Sequence, residues 1–162
     1  MSASTIQLSV IGSISALADG FILQVNDPYR PALKGLEGFS HINVIWWSHF
    51  LDRPDQRSQV ECKKPYKSAP DSLGIFATRS PMRPNPLCLS VAPVIHVDPS
   101  AGLIQLAYID AEDGTPVLDI KPYLGCSDRV RQSSQPAWSS HWPVYYEDSA
   151  EFDWQSEFVN AQ

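Results

Sequence analysis

Apolar and polar residues alternate along much of this chain with the period of short strands. Ile6, Leu8 and Val10 alternate with Gln7 and Ser9, as on a half-buried strand. Phe21 to Val25 follows an Asp19-Gly20 pair suited to a hairpin turn. Residues 41–50 give the clearest run. Ile42, Val44, Trp46 and Phe50 fall on one face, and His41, Asn43, Ile45, Trp47 and His49 on the other. Apolar residues on both faces predict a strand covered on both sides or lining a closed barrel. Further strands are predicted over 74–77, 87–91, 91–97, 103–109 and 117–120, separated by Pro- and Gly-bearing turns. Helix is scarce: a turn over 33–38, and a short helix over 150–159 with Ser149 placed to cap it. Residues 52–72 read as a long polar loop. Many short strands with few helices favour an all-β barrel or sandwich over an α/β sheet.

Composition adds boundaries to that picture. A length of 162 residues fits one domain, and no stretch reaches the length of a membrane span. The N-terminus has no basic start and no long apolar segment, so no signal peptide is expected. Cys62, Cys88 and Cys126 lack metal-like spacing and predict free thiols in a reducing cytoplasm. The net charge of −6 is unevenly spread. From Arg53 to Arg83 seven basic residues (Arg53, Arg57, Lys63, Lys64, Lys67, Arg79, Arg83) face Asp55, Glu61 and Asp71, whereas the tail carries Glu147, Asp148, Glu151, Asp153 and Glu157. Two readings of the basic stretch stand side by side, a local basic face and a solvated loop.

Several familiar sites are missing. There is no Gly-x-Gly fingerprint and no phosphate-binding Gly-Lys-Ser/Thr loop. His41, His49, His96 and His141 have no zinc-protease spacing. Along a strand, roughly 26 Å would separate His41 from His49, too far to share a metal, so no metal is expected. Two stretches are richer. Residues 74–91 place Arg79, Arg83 and Asn85 among Pro81, Pro84 and Pro86; the prolines stiffen the backbone and hold the polar groups at fixed angles. Residues 113–123, Asp-Gly-Thr-Pro-Val-Leu-Asp-Ile-Lys-Pro-Tyr, gather two carboxylates, a hydroxyl, an ammonium and a phenol around a turn and a strand.

Three segments in order, Gly-Leu-Glu-Gly-Phe-Ser-His at 35–41, Phe-Ala-Thr-Arg-Ser-Pro-Met-Arg-Pro-Asn-Pro at 76–86 and the run at 113–123, resemble the TsaA-like (TrmO) family. The resemblance implies a single small antiparallel β-barrel with one or two short helices. It treats 1–162 as one domain, with the motifs over 35–123 and the aromatic, acidic residues 124–162 docking on the barrel. It further implies an S-adenosyl-L-methionine-dependent methyltransferase acting on N6-threonylcarbamoyladenosine beside the anticodon of threonine tRNA. A cytoplasmic homodimer with the cofactor site near the subunit boundary is part of the same expectation.

By motif, the resemblance assigns Arg79 and Leu89 to the cofactor, with His49, Phe50, Asp113, Gly114, Thr115, Pro116 and Val117 completing the pocket. It sets Arg83, Asn85, Lys121 and Tyr123 toward the substrate. Cys88 stands where the family usually has glycine, and Ser13-Ile14-Ser15-Ala16-Leu17 replaces its usual Ser-Pro. The chemistry is consistent with these residue types. The cofactor carries a carboxylate, an ammonium, a sulfonium and an adenosine, and a site for it needs an arginine, oxygen acceptors and apolar walls. A ureido N–H is a poor nucleophile, so a base helps; Asp113, Asp119 and His49 are the candidates, in that order. Two alternatives remain: an S-adenosyl-L-methionine-using enzyme acting on a small metabolite, and a non-catalytic cofactor-binding module.

Overall fold

The computed structural model describes residues 5–18 and 20–160. The predicted hairpin turn at Asp19 falls outside them. Six strands form a closed antiparallel barrel: β1 (Gly12–Leu17), β2 (Gly20–Val25), β3 (His41–Trp47), β6 (Leu87–Asp98), β7 (Leu103–Leu106) and β8 (Pro116–Pro122). Around the barrel the order is β1-β2-β7-β6-β3-β8, and β8 returns to β1. Two further strands, β4 (Glu61–Lys63) and β5 (Ser72–Gly74), pair separately as a hairpin. Among the described residues, helix is confined to 3-10 turns and three four-residue pieces, α1 (Pro54–Arg57), α2 (Gly125–Asp128) and α3 (Trp154–Glu157). The chain is therefore mainly β, as its alternation predicts.

The barrel core follows the period of two. Ile14, Leu23, Ile42, Val44, Ile104, Leu106 and Val117 are fully buried, each burial contributing about 1.5–3 kcal/mol. β3 pairs with β6 and with β8, as every strand of a closed barrel has two neighbours; Ile42, Val44 and Trp46 on its inner face are buried, while Ile45 and Trp47 on the other face are half-buried. The seam is tight where β1 meets its neighbours. A Cβ at Gly12 would run into the Gln24 carbonyl of β2, so closure there requires glycine.

Contacts divide the chain into two compact units. One is the barrel, residues 1–52 with 86–129; the other joins residues 53–85 to 130–162. In the second unit the polar stretch 52–72 is not a plain loop, since α1, β4 and the start of β5 lie in or beside it. Its core is aromatic. Tyr66 stacks on Trp138 and meets Trp142 edge-on, with ring centroids 5.6 and 4.8 Å apart. Trp154 touches Trp142, Phe152 and Phe158. Trp138, Trp142, Phe152, Trp154 and Phe158 of the tail thus pack against Tyr66 and on one another, whereas Tyr145 and Tyr146 are exposed.

Four strand expectations change, each because pairing or turn geometry overrides alternation. Ile6, Leu8 and Val10 are exposed and irregular; a closed barrel leaves no free edge for a strand preceding Gly12 to join. β3 stops at Trp47, and His49–Leu51 turn as a 3-10 helix, which rotates Phe50 off the core face. Residues 75–77 are likewise a 3-10 turn after β5, and β7 ends at Leu106 although Ile109 still reaches the core. Toward the C-terminus, the helix predicted over 150–159 shrinks to α3, capped by Asp153, whose carboxylate accepts from the Ser156 N–H. Ser149 instead accepts, through its carbonyl and hydroxyl, from the Trp154 indole.

Candidate functional site

Antiparallel pairing gathers one set of residues at one end of the barrel. Trp47 pairs with Leu87, Trp46 with Val117 and Ser13 with Pro116. The exit of β3, the entries of β6 and β8 and the exit of β1 therefore share that end. His49 and Phe50 follow the β3 exit. Their rings lie 3.9 Å apart, centroid to centroid, and Phe50 is 61% exposed. The turn is fixed where Ser48 N–H donates to the Pro86 carbonyl and the Trp47 indole donates to Asp52. Leu89, on β6 opposite Ile45, is 48% exposed, an apolar side chain facing outward where the period would otherwise place a polar one.

Residues 113–117 lie at the same end. The Asp113 carboxylate accepts from the Ala16 N–H at 3.0 Å. Gly114 has φ +75°, a left-handed turn that favours glycine, and its N–H donates to the Ile14 carbonyl. Thr115 is buried, its carbonyl accepting from Ile14 N–H, and β8 starts at Pro116 with Val117 in the core. The turn is thus tied to β1 at both Ile14 and Ala16, which holds the Asp113 side chain in place. Tyr108, which the sequence does not single out, stands edge-on to Phe21 at 5.7 Å near this end. Burial, and then the charge of Asp110, push its phenol pKa up, so it stays a neutral donor.

The rest of the third motif runs away from that end. Asp119 pairs with Ile45, Lys121 with Asn43, and Tyr123 N–H donates to the His41 carbonyl. About 20 Å of strand separates Val117 from Tyr123. Lys121 Nζ sits 2.7 Å from Asp119 Oδ2 in an exposed pair. The hydrogen bond and charge of Asp119 raise the Lys121 pKa. Of the candidate bases, Asp113 and His49 therefore share the barrel end, whereas Asp119 lies along the strand, bonded to lysine.

Arg79, Arg83 and Asn85 belong to the second unit, because the boundary falls between Asn85 and Pro86. Arg83 is a brace: its guanidinium donates to the carbonyls of Ile75 and Thr78 at 3.2 and 2.7 Å. Thr78 is buried and its hydroxyl accepts from Ser80 N–H, whose own hydroxyl accepts from Met82 N–H. Arg57, outside the predicted set, reaches the Pro84 carbonyl through Nε and the Asn85 amide oxygen through its guanidinium. The proline-set stretch is thus held by two arginines from within its own unit. Arg79 is exposed, and its backbone bonds the hydroxyl of Tyr66. That hydroxyl titrates above its usual range, chiefly because Tyr66 is buried. No sequence pattern pairs Arg57 with the Pro-Asn-Pro segment nearly thirty residues away.

A six-strand antiparallel barrel with exposed apolar side chains, a tethered carboxylate and a histidine at one end defines a small barrel domain with a candidate site at that end. The chain belongs to the family described as the tRNA-methyltransferase O N-terminal domain, which it matches over residues 12–129. It is 36% identical over 113 residues to the tRNA (adenine(37)-N6)-methyltransferase of Escherichia coli, spanning 66% of this chain and 46% of that protein. A Halobacterium salinarum protein named "Probable S-adenosyl-L-methionine-binding protein" is 35% identical over 102 residues, 63% of this chain and 74% of its own length. The crystal structure of TrmO from Pseudomonas aeruginosa superposes with a TM-score of 0.61 at 30% identity, covering 81% of this chain and 62% of that one. The chain thus spans about half the length of the E. coli relative.

Proposed function

We propose that this protein is an S-adenosyl-L-methionine-dependent methyltransferase that modifies tRNA, with N6 of N6-threonylcarbamoyladenosine beside the anticodon of threonine tRNA as acceptor. The observation that carries the reading is the family match over 12–129, which takes in the whole barrel. Residue chemistry supports the cofactor. On the barrel, Phe50 and Leu89 offer exposed apolar walls and the Asp113 carboxylate an acceptor for an ammonium or hydroxyl, beside the Gly114–Val117 turn; the motif resemblance assigns Arg79 a guanidinium for the carboxylate. When bound, S-adenosyl-L-methionine supplies an electrophilic methyl group on a sulfonium. The protein's part is to align the acceptor nitrogen and keep water out. Asp113, held by Ala16 N–H at 3.0 Å, would be the preferred acceptor of the proton that the target nitrogen gives up, with His49 second. Arg83, being committed to the carbonyls of Ile75 and Thr78, shapes the loop. Lys121, Tyr123 and Asn85 are assigned to RNA contacts, and the working form is a cytoplasmic homodimer with the cofactor near the subunit boundary.

Titration calorimetry with S-adenosyl-L-methionine tests the cofactor, and Arg79→Ala should weaken binding about 10- to 100-fold, the worth of a charge-assisted hydrogen bond. Incubation with cofactor and bulk tRNA, followed by nucleoside mass spectrometry, tests the acceptor. Asp113→Asn should lower kcat by about 10²–10⁴ with cofactor affinity retained. The acidic barrel motivates the competing reading of a small-metabolite methyltransferase. Turnover with cell metabolites and none with tRNA would decide for it.

A further inference from the structure

Charge is partitioned between the two units. The barrel unit carries ten carboxylates against Arg30, Lys34, Lys121 and Arg129, so the whole net charge of −6 lies on it. The second unit has eight residues of each sign, and within it residues 53–85 are basic and residues 130–162 acidic. A polyanion meets net repulsion from the barrel unit, whatever single contact Lys121 makes, and net attraction from the 53–85 segment.

Within that segment the β4–β5 hairpin presents Lys63, Lys64 and Lys67, of which Lys63 and Lys67 are exposed. Its backbone is pinned from several sides. Lys64 N–H donates to the Asp71 carbonyl, Lys67 N–H to the Glu157 carbonyl and Val159 N–H to the Pro65 carbonyl, at 2.9–3.0 Å. The Asn160 amide donates to the Lys64 carbonyl at 3.1 Å. Tyr66, between the lysines, is buried against Trp138 and Trp142. Lys64 is held at φ +22°, where a side chain is rarely found. Such strain persists only where the surroundings enforce it, and it concentrates at functional positions. Three ammonium groups on a pinned, strained hairpin form a preorganised cationic ridge, unlike lysines on a mobile loop.

We infer that the hairpin ridge Lys63–Lys64–Lys67, clamped by the C-terminal segment, is a contact surface for the phosphodiester backbone of the RNA substrate. The inference rests on the tRNA reading of the same protein. Backbone phosphates suit the ridge, since it offers point charges and no planar fork for reading base edges. In this arrangement the C-terminal segment acts as scaffold, holding the hairpin through backbone groups, while Lys63 and Lys67 are exposed and Lys64 half-exposed; the Glu157 carboxylate faces the charge of Lys67.

The test measures tRNA affinity by fluorescence anisotropy across a salt series for the full chain, beside tRNA methylation. A Lys63→Gln/Lys64→Gln/Lys67→Gln variant, and its Glu counterpart as a second form, should flatten the slope of log affinity against log salt by about 2–3. Both should lower affinity at low salt by tenfold or more, with S-adenosyl-L-methionine binding and tryptophan fluorescence unchanged. A wild-type protein that methylates tRNA while both variants keep its salt slope overturns the ridge alone. No tRNA-dependent methylation by wild type overturns the tRNA reading and the ridge with it. Polyglutamate binding as tightly as tRNA, with equal loss in the variants, overturns it in favour of an acidic polypeptide.

Discussion

The barrel and the second unit are stabilised by different means. Aliphatic side chains at alternate positions fill the barrel, from Ile14 on β1 to Val117 on β8, and its shape is closed by a continuous hydrogen-bond ladder. In the second unit short turns and a three-residue hairpin supply little ladder, and aromatic rings joined across more than seventy residues of sequence take its place. A ladder-closed barrel spreads its stability over many contacts. An aromatic cluster concentrates it in a few rings, so single changes should hit the two units unequally.

The largest effect is expected from Trp142→Ala. Its ring meets Tyr66, Trp138, His141 and Trp154, and removing it should cost the second unit about 3–5 kcal/mol. Ile42→Ala, fully buried on β3, should cost the barrel about 2–5 kcal/mol. Denaturant unfolding followed by both tryptophan fluorescence and far-UV circular dichroism separates the two. Trp142→Ala should give a fluorescence transition that precedes the dichroism transition, while Ile42→Ala moves both. Coincident transitions in the first variant would mean that the second unit has no stability of its own.

A smaller effect, confined to acid, is expected at Glu157. Its side chain is 4% exposed and meets His141 Nε2 at 3.0 Å. Burial alone would raise its pKa. The hydrogen bond from His141, together with the charges of His141 and Lys67, outweighs burial and holds it below the ordinary value of 4.5. A carboxyl with a lowered folded pKa adds stability above its unfolded pKa, and that stability is lost as pH falls through the folded value. The wild-type second unit should therefore lose melting temperature as pH falls from the carboxyl's ordinary value of 4.5 downward, and Glu157→Gln should be less stable at neutral pH with a flatter acid limb. Equal acid limbs in the two proteins would remove Glu157 from the account.

The same difference decides what the sequence makes legible. Ile42, Val44 and Trp46 reveal β3 because a barrel strand imposes a local period, and the Gly114 turn reveals itself by its residue type. The second unit has no such period. Tyr66 organises its aromatic core, yet one tyrosine in a polar stretch carries no local mark of partners at 138, 142 and 158. Side-chain direction was equally hidden. Arg83 reads as substrate-facing by motif, but the 3-10 turn over 75–77 leaves carbonyls at Ile75 and Thr78 that its guanidinium caps. His49 and Phe50 read as strand until the turn at Ser48 places them at the barrel end.

The smallest effect is expected where the third motif leaves the barrel end. Asp119 and Lys121 are exposed, 44% and 62% respectively, the two values applying to the carboxylate and ammonium side chains of one ion pair, and solvent screening makes such pairs contribute little to stability. Asp119→Asn should leave the unfolding midpoint unchanged. Its effect on kcat separates two roles for the motif. If Asp113 takes the proton at the barrel end, Asp119→Asn should change kcat less than threefold or so, against the 10²–10⁴ expected for a lost general base. Any loss should then appear in the KM for tRNA, because freeing Lys121 from its carboxylate alters the RNA contact proposed for it and leaves the reacting atoms alone. A fall in kcat as large as that of Asp113→Asn, with KM unchanged, would move the base from the turn to the strand. The reacting nitrogen would then lie beside Ile45, its partner on β3, away from His49.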